Sequence, residues 1–127
     1  MKTTLSIFSL AALLAAPFAA LNARPPSEQD IAKIKEALPE KAPAKPQGPR
    51  KILIFSKTNG FRHGSIETGA KSLTLLGEKT GAWSAVHSED DSMFEPDTLK
   101  QFDAVVMVNT TGELFRPRKL PGEADQK

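Results

Sequence analysis

The sequence contains no cysteine and no tyrosine, one tryptophan and two histidines. Without cysteine there is no disulfide, no thiolate metal site, no thiol nucleophile and no lipid-attachment thiol. A charge excess is missing as well: seventeen Lys and Arg oppose fifteen Asp and Glu, for a net charge of +2 with the signs interspersed. No basic stripe of the kind that tracks a phosphate backbone forms, so nucleic acid is not an expected partner. Metal-ligand spacing is also lacking. His87 followed by Glu89, Asp90 and Asp91 matches no defined metal motif and reads as the end of a strand running into a solvated acidic loop, so neither a metal nor a cofactor is expected.

What is present is an ordinary globular balance, 39% hydrophobic and 25% charged, over 127 residues, enough for one small domain. Part of the apolar content lies at the start. Lys2 precedes an apolar run from Leu5 to Ala16, Pro17 breaks it, and Ala19, Ala20 and Ala23 are small residues suited to cleavage. Residues 1–23 therefore read as a secretory signal peptide, whose apolar stretch is shorter than the roughly 20 residues needed to span a bilayer. A periplasmic or secreted bacterial protein is expected, free of the membrane once cleaved.

Residues 24–49 hold six prolines, too many for a sheet interior or a long helix, and read as a linker. One short helix fits inside it. Ser27 can cap, Glu28 and Asp30 suit a helix start, and Ile31, Ile34 and Leu38 recur at helical spacing before Pro39. That stripe predicts a short helix docked on the domain surface.

The domain proper spans 50–116. Ile52 to Phe55 and Ala104 to Val108 are unbroken apolar runs, as expected of parallel strands covered on both faces. Ile66, Gly69, Ala70, Leu73, Leu76 and Gly77 form one helical stripe with Gly81 as its stop, and Trp83 to Ser88 alternates like an edge strand. The result is an α/β unit, strand, helix, strand, short helix at Pro96 to Gln101, strand, with expected sheet order 2-1-3. Its ligand site belongs at the carboxyl ends of strands 1 and 3, where the direction of winding reverses. Only one substantial helix is available as cover, so self-association through an uncovered sheet is expected. Residues 117–127 carry no strand or helix pattern and read as a disordered tail.

Two polar connections wall the expected site. The first, Lys57 to Ser65, contains Asn59, Gly60, Phe61, Arg62 and His63 and runs into a helix start; the second, Asn109 to Phe115, contains Thr110, Thr111 and Glu113. Amides, hydroxyls, a guanidinium, an imidazole and a carboxylate suit an anion or a polyhydroxyl ligand. Each residue also has a plainer reading. His63 is either a general base or a histidine bonded to a backbone carbonyl, and Arg62 either grips a ligand or is a solvated charge. Ser65 reads as an N-cap and not as a nucleophile, since no orienting group and no G-x-S-x-G elbow accompany it. Phe61 reads as a lid on the core in preference to a stacking platform, and Asn59-Gly60 equally as a turn.

The string Ile52-Leu53-Ile54-Phe55-Ser56-Lys57-Thr58-Asn59-Gly60-Phe61-Arg62-His63-Gly64-Ser65-Ile66, followed by Asp103 to Glu113, resembles the ThuA-like (trehalose utilisation) family. The resemblance covers about 50–116, and Gly60-Phe61-Arg62-His63 is its most specific part. It implies a flavodoxin-like three-layer sandwich similar to class I glutamine amidotransferases, here cut short after the third parallel strand. It also implies an exported protein of disaccharide and glycoside breakdown acting on a small-molecule carbohydrate. Arg62 and His63 are then the expected catalytic residues, and Asn59, Gly60, Phe61, Ser65, Thr110, Thr111 and Glu113 the substrate-binding ones. The amidotransferase reaction itself needs a cysteine nucleophile, which this chain does not have. The alternatives are a non-catalytic sugar-binding or interaction module, an inactive truncated fragment, and a flavin carrier. The last rests on Ser56, Thr58 and Gly60, while Asn59, Phe61 and the missing tyrosine oppose it.

Overall fold

The computed structural model describes residues 24–115. The expected signal peptide and tail lie outside the described residues. Ser27 opens α1 (Glu28–Ala37) with a reciprocal cap, its hydroxyl accepting from the Asp30 amide while the Asp30 carboxylate accepts from the Ser27 amide. Its half-buried residues are Ile31, Ile34 and Leu38, the stripe read from the sequence. The helix lies on α2 (Ile66–Thr80), not on the sheet. Lys79 of α2 donates to the carbonyls of Lys35 and Leu38 and pairs with Glu40, so an ammonium satisfies the orphan carbonyls at the negative end of α1.

Three strands follow in the order β2-β1-β3, all parallel: β1 (Lys51–Phe55), β2 (Ser84–Ser88) and β3 (Ala104–Met107). This is the expected 2-1-3 winding of a small, open, flavodoxin-like α/β sheet. Ile54 pairs with both His87 and Val106 across the sheet. Even-numbered positions of β1 face α2, where Ile52 and Ile54 pack with Ala70, Leu73, Trp83, Ala85, Val106 and Val108. Odd-numbered positions face the other way. There Phe55 meets the edge of Phe94 from a single 3-10 turn (Asp91–Phe94), and Lys51 lies over Phe102, just beyond the short α3 (Pro96–Leu99). Leu53, Ile54, Phe55 and Ile66 are completely buried, and burying each contributes about 1.5–3 kcal/mol.

Gly77 lets β2 approach α2. A methyl group there would lie 2.5 Å from the Trp83 ring and carbonyl, and the Trp83 indole donates to the Leu73 carbonyl on the same helix. Gly81 ends α2 with φ +66°, the left-handed turn that a glycine adopts without strain. Leu75 is buried although it lies outside the sheet-facing stripe. It sits one turn before Lys79, on the side of α2 that meets α1. The cover is uneven: on the face opposite α2, β1 is enclosed while Val105 and Met107 of β3 are 36% and 46% exposed.

Candidate functional site

Beyond the strands, the pairing of β1 with β3 continues into the two connections. Thr58 and Thr111 form an isolated parallel bridge, and the amides of Asn59 and Gly60 both donate to the Thr111 carbonyl, at 2.9 and 3.2 Å. The Asn59 side chain donates to the Glu113 carbonyl at 2.6 Å, and the Thr111 hydroxyl donates to the Phe61 carbonyl at 2.5 Å. Such contact requires glycine at 112 and leaves little room at 60. A Cβ on Gly112, whose φ is +77°, would lie 2.7 Å from the Gly60 nitrogen, and one on Gly60 would lie 3.2 Å from the Thr111 hydroxyl. Asn109, at the end of β3, takes φ +47° and donates from its side chain to the Ser65 hydroxyl at 2.7 Å. Asparagine tolerates this left-handed conformation better than most residues.

The predicted residues fall into two groups on this rim. His63 and Phe61 are exposed and meet edge to face with ring centres 5.0 Å apart. Phe61 is 64% exposed, so it does not cover the core: the chain leaves the sheet at Ser56, and the loop carries the ring outward. Asn59, Gly60, Ser65, Thr111 and Glu113 lie where the two connections touch, as described above, and Thr110 is half-buried between Asn109 and Thr111. Ser65 does precede α2, but its hydroxyl makes no cap; it is held by Asn109 instead.

Arg62 is engaged by two carboxylates, Glu67 at 2.7 Å and Glu89 at 2.8 Å. The Glu89 hydrogen bond, ahead of an opposing desolvation effect and of the Glu67 bond, pushes the guanidinium above its ordinary value, so it stays charged. The pairing spans α2, the first connection and the segment after β2, which fixes the middle of that connection over the sheet end.

A further cluster was not legible in the sequence. Ser56, the residue after β1, is completely buried, and its hydroxyl lies 2.7 Å from Nε2 of His87 and 2.9 Å from Glu89. His87 is thus more than a strand end running into a solvated acidic loop. It occupies the same sheet face as Ile54, its partner, and therefore as Ser56 two residues on. Strand alternation placed His87 on a face, but which β1 residue shared that face depended on register. Nearby, Lys57 forms an ion pair with Asp91. Among the described residues no group of three His, Cys, Asp or Glu side chains could hold a metal ion, and no helix is long and apolar enough to cross a membrane. A cleft of about 530 Å³ between the linker around Lys41 to Pro49 and Thr80-Gly81 lies at the opposite end of α2. That is about 22 Å away from the rim by the length of a 15-residue helix.

An open, doubly wound α/β sheet with a polar rim at the carboxyl ends of β1 and β3 defines a class of proteins that bind ligands at the winding switch. Within that class the chain belongs to the ThuA family, described as trehalose utilisation, whose model matches residues 51–120, more than half of the chain. Comparison with curated proteins and with solved structures produced no match.

Proposed function

We propose that the rim formed by the two connections is the carbohydrate-binding site of an exported protein that handles a disaccharide or glycoside. The observation that carries this reading is the Thr58–Thr111 bridge. It sets an exposed Phe61–His63 pair beside the amide and hydroxyl groups of the second connection. A sugar offers hydroxyls for such groups and an apolar face for an aromatic ring, the combination that small-ligand sites provide. Family membership supports the ligand class. In this proposal His63 and Phe61 touch the sugar, with Thr110, Thr111, Ser65 and Glu113 around it. Arg62 is the positioning residue, because both arms of its guanidinium are already paired.

Calorimetric titration of the chain with trehalose and with other disaccharides tests the site. Saturable binding is expected, weakened at least about tenfold, or 1.4 kcal/mol, by His63→Ala and by Phe61→Ala. Both side chains are exposed, so melting should change little. Absence of saturation, or affinity indifferent to both substitutions, defeats the proposal. Chemical change of the bound sugar would make the chain an enzyme; binding without turnover would make it a binding module.

A further inference from the structure

Glu89, Ser56 and His87 form a hydrogen-bonded line whose direction can be deduced. Glu89 is paired with Arg62 and is therefore a carboxylate, which only accepts. The Ser56 hydroxyl has one hydrogen and is 2.9 Å from that carboxylate, so it donates there. Its lone pairs then face Nε2 of His87 at 2.7 Å, and Nε2 must be the donor. A neutral imidazole with hydrogen on Nε2 carries its lone pair on Nδ1. His87 is exposed, and among the described residues its one polar side-chain contact is the Nε2 bond to Ser56, which leaves Nδ1 as an acceptor with no partner among them.

From this geometry we infer that His87 is a ligand-binding residue, locked in the Nε2–H form so that Nδ1 accepts a hydrogen from a hydroxyl of the bound sugar. The burial of Ser56 gives the lock its rigidity, since a completely enclosed hydroxyl cannot exchange its protein partners for water. The same buried position argues against Ser56 as a nucleophile, because substrate does not reach it. Three bonds, of 2.8, 2.9 and 2.7 Å, lead from Arg62 through Glu89 and Ser56 to His87. The histidine is therefore coupled to the connection that carries His63, on the same end of the sheet. The identity of the ligand rests on the carbohydrate reading above; the tautomer does not.

The test is nuclear magnetic resonance of the full chain labelled with ¹⁵N in histidine, at a pH where imidazoles are neutral. His63, which has no such line of partners, is the internal reference. His87 is expected to show the Nε2–H pattern alone. Ser56→Ala, and separately Glu89→Ala, should raise its Nδ1–H fraction to that of His63. The second substitution removes a partly exposed carboxylate and leaves the core intact. An Nδ1–H form or a His63-like mixture in the unaltered chain overturns the lock, as does a fraction that neither substitution moves. Addition of trehalose should then shift Nδ1 of His87 together with the ring of His63, and His87→Ala should weaken binding about threefold to tenfold, the worth of one neutral hydrogen bond. A response at His63 without one at His87 overturns the inference and leaves the site standing. Silence at both overturns the carbohydrate reading and the assigned role of Nδ1 with it.

Discussion

Gly60 and Gly112 meet where the two connections cross, and Gly112 cannot be replaced without moving backbone. For Gly112 two costs coincide. Its φ of +77° strains any residue with a Cβ, and that Cβ would lie 2.7 Å from a backbone nitrogen that cannot swing aside. Gly81 isolates the first cost, because its φ is +66° but nothing lies within 4 Å of the added methyl. Gly81→Ala is expected to lose about 1–2 kcal/mol from the left-handed backbone alone. Gly112→Ala should lose distinctly more in denaturant unfolding and should abolish sugar binding, since the Thr58–Thr111 bridge cannot form beside it. Equal losses would show that the connections yield freely. At this scale the sequence was partly readable. Asn59-Gly60 was legible as a turn, but nothing local announced that Gly112 would touch it, because the two are brought together by β1–β3 pairing.

Elements are tied to one another by polar groups at their ends. The carboxylate of Asp103, just before β3, accepts from the Lys51 amide at the start of β1 and from Arg50, while the Asp103 amide donates to the Lys51 carbonyl. The Lys51 amide first and Arg50 second hold the Asp103 carboxyl below its usual range. The folded chain thus binds that proton more weakly than the unfolded chain does. The stabilisation is present above the ordinary carboxylate range of about pH 4 and fades as the pH falls through the lowered value. Melting followed at neutral pH and near pH 3 should show the unaltered chain losing stability in acid. Asp103→Asn should begin lower and lose less, and an identical acid loss in both would remove Asp103 from the account. The elements themselves were largely foreseeable. The α1 stripe with its Ser27 cap and the α2 stripe with its Gly81 stop appear where periodicity placed them, and β2 forms at Ser84–Ser88 within the segment read as a strand, although its burial does not alternate strictly. Leu75 escaped, because it lies off the stripe from which the sheet-facing side of α2 was read.

Among the described residues the molecule is a sheet covered by α2 on one face and only partly on the other. Val105 and Met107 of β3, together with Phe115, present an apolar strip beside a strand edge that carries no charged residue between Ala104 and Met107. Charged side chains are the usual guard against pairing between edges. The described unit is therefore expected to associate as its concentration rises, in a manner that sedimentation would follow. Met107→Lys should reduce that association without altering the α2 face of the sheet. A monomer that stays monodisperse at high concentration, with or without the substitution, would contradict this expectation.

The hydrophobic runs, the amphipathic stripe of α2 and the two polar connections were sufficient to determine a parallel α/β unit of order 2-1-3 with its polar loops at one end. Those features are local or periodic, and periodicity is written directly in the chain. Register and side-chain pairing were decided only by tertiary structure. Arg62 could be read as a free cation until Glu67 and Glu89 were seen on it, and His87 as a solvent-facing strand end until Ser56 was found beneath it. Hydrogen bonds between residues some thirty positions apart have no periodic trace, so the geometry that couples the buried hydroxyl to the rim became visible only in the folded molecule.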